Sequence, residues 1–139
     1  GAFIETMKFM KKNDVVSHLW GYGAKLIKLM NDLAKEYGIE KNFIASGIEC
    51  SPYFLTFNKN GENCLGLRTL FAQEMIKNGV LIPWIALSYS HREEELEFTK
   101  DALKKSFEVL KKAVDEGYEK YLNGNVLSLF KYLPQEMFV

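Results

Sequence analysis

Apolar residues recur at alternating steps of three and four from Val16 through Leu19, Gly23, Leu26, Met30 and Leu33 to Tyr37. That spacing draws one apolar seam along about six helical turns. Gly38 follows where a helix end favours a residue that tolerates positive φ. Upstream, Phe3, Met7 and Met10 share a face and predict a short helix from Ala2 to Met10. Asn13 stands between the two as an N-cap for the second helix, with Asp14 in its first turn. Gly23 interrupts the seam at a cost of about 1 kcal/mol relative to alanine. Its position there predicts close approach of another backbone.

The middle changes period. "FIASGIEC" (43–50) and "YFLTFN" (53–58) are β-rich, with Pro52 between them. "NKNGENC" (58–64) predicts a turn centred on Asn60-Gly61. A helix over Leu67–Asn78 carries Leu70, Phe71 and Met75 on one side and closes at Gly79. Residues 80–89 read as a strand broken or bulged at Pro83. A long helix then carries Leu96, Thr99, Leu103, Phe107, Leu110, Val114 and Tyr118, until "NGN" (123–125) breaks it. The end, 119–139, reads as an irregular aromatic tail. The expected fold is α+β: a small, mainly antiparallel sheet of three to four strands, covered on one face by long helices, in a single domain over 1–139.

Charge narrows the function. Lys+Arg and Asp+Glu number 18 each, so the formal net charge is zero. A nucleic-acid partner is therefore not expected, and the "KK" pairs read as solvated helix faces. No apolar run nears the ~20 residues that span a bilayer, and no signal peptide is recognisable. Cys50 and Cys64 lie fourteen positions apart with no CxxC pair, so no metal site is expected and both thiols suit a reducing cytoplasm. The opening "GAFIETMKFMKK" has no methionine start, which suggests a piece of a longer protein with Gly1 left by cloning.

The densest candidate chemistry is "SYSHREEE" (88–95), with a hydroxyl, an imidazole and three carboxylates. Ser90 and Glu93 fit the S-x-x-E capping box, and three glutamates suit the positive end of a helix. Structural capping is therefore the expected role of Ser90 and Glu93. His91 as a base would need an oriented nucleophile, and none is implied. His18 reads as a helix-surface or packed residue, and Gly21 and Gly23 in "WGYGAK" lie within a helix, not in a phosphate loop. Arg68 is a candidate for a surface ion pair or an anion contact. Trp84 beside Pro83 reads first as a core residue and second as a side chain that a backbone irregularity aims into a site.

The order and spacing of "DVVSHLWGYGAKLIKLMNDLAKEYG", "PYFLTF", "LRTLFAQEMIKNGVLIPWIALSYSHREEELEFTKDAL" and "EGYEKYLNGNVLSLFKYL" resemble the C-terminal part of class III pyridoxal-phosphate aminotransferases. The glutamate-1-semialdehyde 2,1-aminomutase-like branch is the nearest in character. The likeness spans nearly the whole chain, and residues 70–95 carry it most specifically. It implies a cytoplasmic, homodimeric parent enzyme of fold-type I that moves an amino group on a small amino or keto substrate. The cofactor would be pyridoxal 5'-phosphate, held by a lysine and an aspartate of the parent's large domain. The resemblance implies no catalytic, cofactor-binding or metal residue in this chain, which alone would be inactive. By position, Pro83 and Trp84 would face the substrate pocket. His91-Arg92 replaces the branch's histidine-threonine pair. The other expectation is a free-standing α+β module that binds a protein partner through its long helices and aromatic tail.

Overall fold

Phe43 and Ala45 on one strand and Phe54 and Thr56 on the next are the inward positions of a hairpin. The structure, a computed structural model, describes residues 1–126. It contains α1 (Ala2–Lys12), α2 (Val15–Glu36), β1 (Phe43–Ile48), β2 (Ser51–Thr56), α3 (Leu65–Lys77) and α4 (Glu93–Glu116), then a 3₁₀ turn at Tyr118–Lys120. β1 and β2 pair antiparallel, with Phe43 opposite Thr56 and Ala45 opposite Phe54. Helices α2 and α3 lie against the hairpin and α4 against both helices. The class is α+β.

Four phenylalanines from four elements make the centre. Phe43 lies 4.8 Å from Phe71 and 4.8 Å from Phe107, and Phe54 lies 4.9 Å from Phe71. All four are fully buried, which stabilises by about 1.5–3 kcal/mol for each ring. Met30 and Leu33 of α2, and Leu103 and Leu110 of α4, close around them.

Two helices end in the same way. After α2, Gly38 N–H donates to Lys35 O (3.0 Å) and Ile39 N–H to Ala34 O (2.8 Å). After α3, Gly79 N–H donates to Ile76 O and Val80 N–H to Met75 O, both at 2.9 Å. These are Schellman closures, and the glycines hold φ 71° and 85° as the motif requires. Gly23 meets the expectation set by its place on the seam: a Cβ there would lie 1.6 Å from Glu49 O, in the turn between β1 and β2.

The sheet has two strands rather than three or four. Residues 80–89 form no ladder among the described residues. Their exposure alternates on each side of Pro83: Val80 and Ile82, then Ile85 and Leu87, are the more covered, and Leu81, then Trp84, Ala86 and Ser88, are exposed. The alternation shifts by one residue at Pro83, and Pro83 has no N–H to offer a partner strand. Pro52 lies inside β2, opposite Gly47, and the hairpin turn is Glu49-Cys50.

Three helix boundaries also differ. Asn13 closes α1: its N–H and side-chain amide both donate to Phe9 O, at 3.0 and 2.9 Å. Asp14 is the N-cap of α2, with φ 48°. Val16 is exposed, and Val15 and Tyr22 take the inward positions of the first turns. Helix α4 stops at Gly117, φ 95°, before "NGN" is reached. The part of the expected tail beyond residue 126 lies outside the described residues.

The outer edges of the hairpin are bonded by side chains. Asn31 of α2 donates from Nδ2 to Ala45 O and accepts Ala45 N–H at Oδ1, both at 2.9 Å. Arg68 of α3 donates from Nη1 to Phe54 O at 2.7 Å.

Candidate functional site

The segment from Gly79 to Arg92 crosses from α3 to α4 with its inner side chains only partly covered. Beneath it, against α2 and α4, runs an open cleft of about 260 Å³. Leu26 of α2, Val80, Ile82 and Leu87 of the segment, and Phe98 of α4 form its apolar walls. Tyr22, His91, Glu95 and Thr99 bring its polar atoms together at the α2 and α4 sides. Trp84 and Leu81 stand at the rim, 72% and 77% exposed.

Each polar group has a local reason for its place. Tyr22 is on the inward face of α2 and 8% exposed. Burial raises its hydroxyl pKa, and the nearby Glu95 and Glu93 carboxylates raise it further. Its ring lies 5.4 Å from the His91 ring. His91 Nδ1 accepts the Ser88 N–H at 3.2 Å, so in the neutral ring the proton sits on Nε2. Glu95 Oε2 accepts the Arg92 N–H at 2.8 Å. That backbone bond is the main reason its carboxyl titrates below the ordinary range.

This arrangement corrects the expected cap. Arg92, not Ser90, is the N-cap of α4, and Glu95, not Glu93, reaches back. Ser90 belongs to a turn in which His91 N–H donates to Ser88 O at 3.2 Å, two residues ahead of the helix. A guanidinium has no acceptor, so only the returning half of a capping box forms. Glu93 pairs instead with Lys25 of α2 at 2.7 Å.

Beside the cleft lies a second polar group. The Arg92 guanidinium sits 4.2 Å from the centre of the Tyr89 ring and donates to His18 Nε2 at 2.9 Å. The rings of Tyr89 and His18 are 5.2 Å apart, edge to face, and Phe9 of α1 meets Tyr89 at 5.7 Å. His18 is therefore part of a packed stack that ties α1 and α2 to the start of α4.

Of the two residues expected to face a substrate, Trp84 lines the cleft and Pro83 does not. The Pro83 carbonyl faces Arg68 Nη2 at 3.4 Å. Arg68 is not a surface charge. It is 8% exposed, stacks 4.4 Å from the Phe54 ring centre, and ties the hairpin to the segment above the cleft. Burial lowers its pKa. Reading the sequence missed Tyr22 as a site residue, although its spacing of four from Leu26 was the available signal.

Among the described residues, no group of three or more His, Cys, Asp or Glu side chains is placed to hold a metal ion. No helix among them is long and apolar enough to cross a membrane. The cleft does not fit pyridoxal phosphate: among the described residues its lining includes no lysine for the carbonyl carbon and no Lys or Arg for the phosphate. No protein-family model, curated protein or solved structure matches the chain.

Proposed function

We propose that this chain is the C-terminal small domain of a class III pyridoxal-phosphate aminotransferase, of the glutamate-1-semialdehyde aminomutase-like branch. The parent is a cytoplasmic homodimer that transfers an amino group on a small amino or keto substrate. The observation that carries the reading is an exposed apolar surface beside a sequence segment of family character. Leu81 and Trp84 project from the 79–92 segment, and Phe3, Ile4 and Met7 project from α1. Apolar surface of this extent suits burial against a further domain.

In this reading Trp84 belongs to the wall of the parent's substrate pocket, and Pro83 holds the backbone beside it. The cofactor, its lysine and its aspartate belong to the rest of the parent, and the chain by itself is inactive. The chain mixed with pyridoxal phosphate is expected to give no stoichiometric, borohydride-trappable adduct at a single lysine; such an adduct would overturn its inactivity. The native reading frame upstream of Phe3 tests the assignment itself. It is expected to continue through a domain with a lysine at a strand end, and a start codon immediately before Phe3 refutes it.

A second reading, a free-standing module that binds a protein partner, is favoured by α1. None of its residues is buried, although Phe3, Met7 and Met10 share a face. The same reading frame separates the two.

A further inference from the structure

We infer that the cleft beneath residues 79–91 binds an organic amine with an apolar body. The inference concerns this chain's own surface and holds whether or not the chain belongs to an aminotransferase. Three observations converge on a cation. With histidine neutral, Glu95 is the one formally charged residue of the described lining. Its carboxyl titrates below the ordinary range because the Arg92 N–H bonds to it, so it is ionised at neutral pH. The neighbouring Arg92 guanidinium is engaged elsewhere, against Tyr89 and His18.

The second observation is aromatic. Tyr22, Trp84 and Phe98 all border the cleft, and ring faces attract ammonium groups that leave bulk water. Trp84 at the rim is free to turn its indole onto such a group, being largely exposed. The third is the remaining wall. Leu26, Val80 and Ile82 offer only hydrocarbon, which suits a ring or branched chain and gives a carboxylate or phosphate no countercharge. A volume of about 260 Å³ accommodates a single-ring molecule.

The test uses the intact chain without cofactor. Phenethylamine, 2-phenylethanol and phenylacetate share one ring and differ in head-group charge. Each is titrated into the ¹⁵N-labelled chain while amide shifts are followed. Phenethylamine is expected to shift the amides of residues 79–87 and 95–99 saturably. It is expected to bind about fivefold more tightly than the alcohol, with the carboxylate weakest. Glu95→Gln keeps an oxygen for the Arg92 N–H and is expected to abolish the preference for amine over alcohol. Trp84→Ala, at an exposed position, is expected to weaken the amine about threefold. Three outcomes overturn the inference: phenylacetate binding as well as the amine, a preference that survives Glu95→Gln, or no saturable shift around the cleft. Because no cofactor is present, the result is independent of the upstream reading frame that tests the aminotransferase assignment.

Discussion

Gly23 of α2 and Glu49 of the hairpin turn are in backbone contact: a Cβ on Gly23 would fall 1.6 Å from the Glu49 carbonyl oxygen. Leu87 Cδ1 would lie 2.8 Å from the same Cβ. One missing side chain therefore sets the distance between helix, hairpin and the roof of the cleft.

Gly23→Ala gains helix propensity worth about 1 kcal/mol. It must also displace a backbone carbonyl, and overpacking of that kind costs about 1–3 kcal/mol or more. The expected result is net destabilisation by about 1–2 kcal/mol in urea unfolding. Gly21, in the same helix with nothing within 4 Å of its Cβ position, is the control. Gly21→Ala should stabilise by about 0.5–1 kcal/mol. Equal effects at both sites would show that the Glu49 contact has no energetic weight.

Gly66 and Tyr118 make a second such pair. A Cβ at Gly66 would lie 2.2 Å from the Tyr118 ring. Gly66→Ala alone should cost about 1–3 kcal/mol. In a Tyr118→Ala background the same change should cost far less, because the ring is gone. A double-mutant cycle with no coupling energy would contradict the contact.

Arg68 joins Phe54 O and Pro83 O through one guanidinium. Arg68→Ala removes a charge-assisted bond to the buried Phe54 carbonyl and a longer one to Pro83 O, and about 2–3 kcal/mol of stability should go with them. Lysine, with a single nitrogen, should restore only part. Amide exchange in residues 80–87 should accelerate more than in α4. Uniform acceleration would mean that Arg68 supports the whole fold and does not tether this segment in particular.

Glu95 supplies a pH dependence of known sign. Its folded pKa is lowered, chiefly by the Arg92 N–H. The stability it lends is present above the unfolded pKa and fades as pH falls through the folded one. Thermal midpoints of wild type and Glu95→Gln should therefore differ more at about pH 7 than at about pH 3. A constant difference across that range would show that the carboxylate charge is not what matters.

Exposed and inward residues of the segment above the cleft should behave differently. Trp84→Ser and Leu81→Ser should each change stability by less than about 0.5 kcal/mol, yet reduce any self-association seen in sedimentation. Ile82→Ala, at a buried position, should cost about 2–4 kcal/mol.

Helices α2 and α4 were legible because each carries its own period, and α2 and α3 because each ends in a glycine that closes it. What was not legible depended on partners. Residues 80–82 and 84–89 each have the alternation of a strand, but alternation reports only which side is inward and cannot supply a neighbour to bond. Ser90 and Glu93 had the right spacing for a cap. The turn from Ser88 to His91 used that backbone first and moved the helix start to Arg92. Arg68 looked like a surface charge by residue type. The run "LGLRTLFA" around it, apolar on every side, was the sign of a central helix. At the site, Trp84 was reached from sequence through its proline neighbour, whereas Tyr22 and Glu95 needed the crossing of α2 and α4 to come together.

A hairpin of two strands is all edge, and open edges invite strands from other molecules. Here three outward backbone groups in the middle of the hairpin are already engaged: Asn31 imitates a neighbouring strand at Ala45, and Arg68 holds the carbonyl of Phe54. An incoming chain would have to displace two side chains anchored in helices before it could add to the sheet. The amide and the guanidinium thus give a minimal sheet the insularity that larger sheets obtain by closing on themselves.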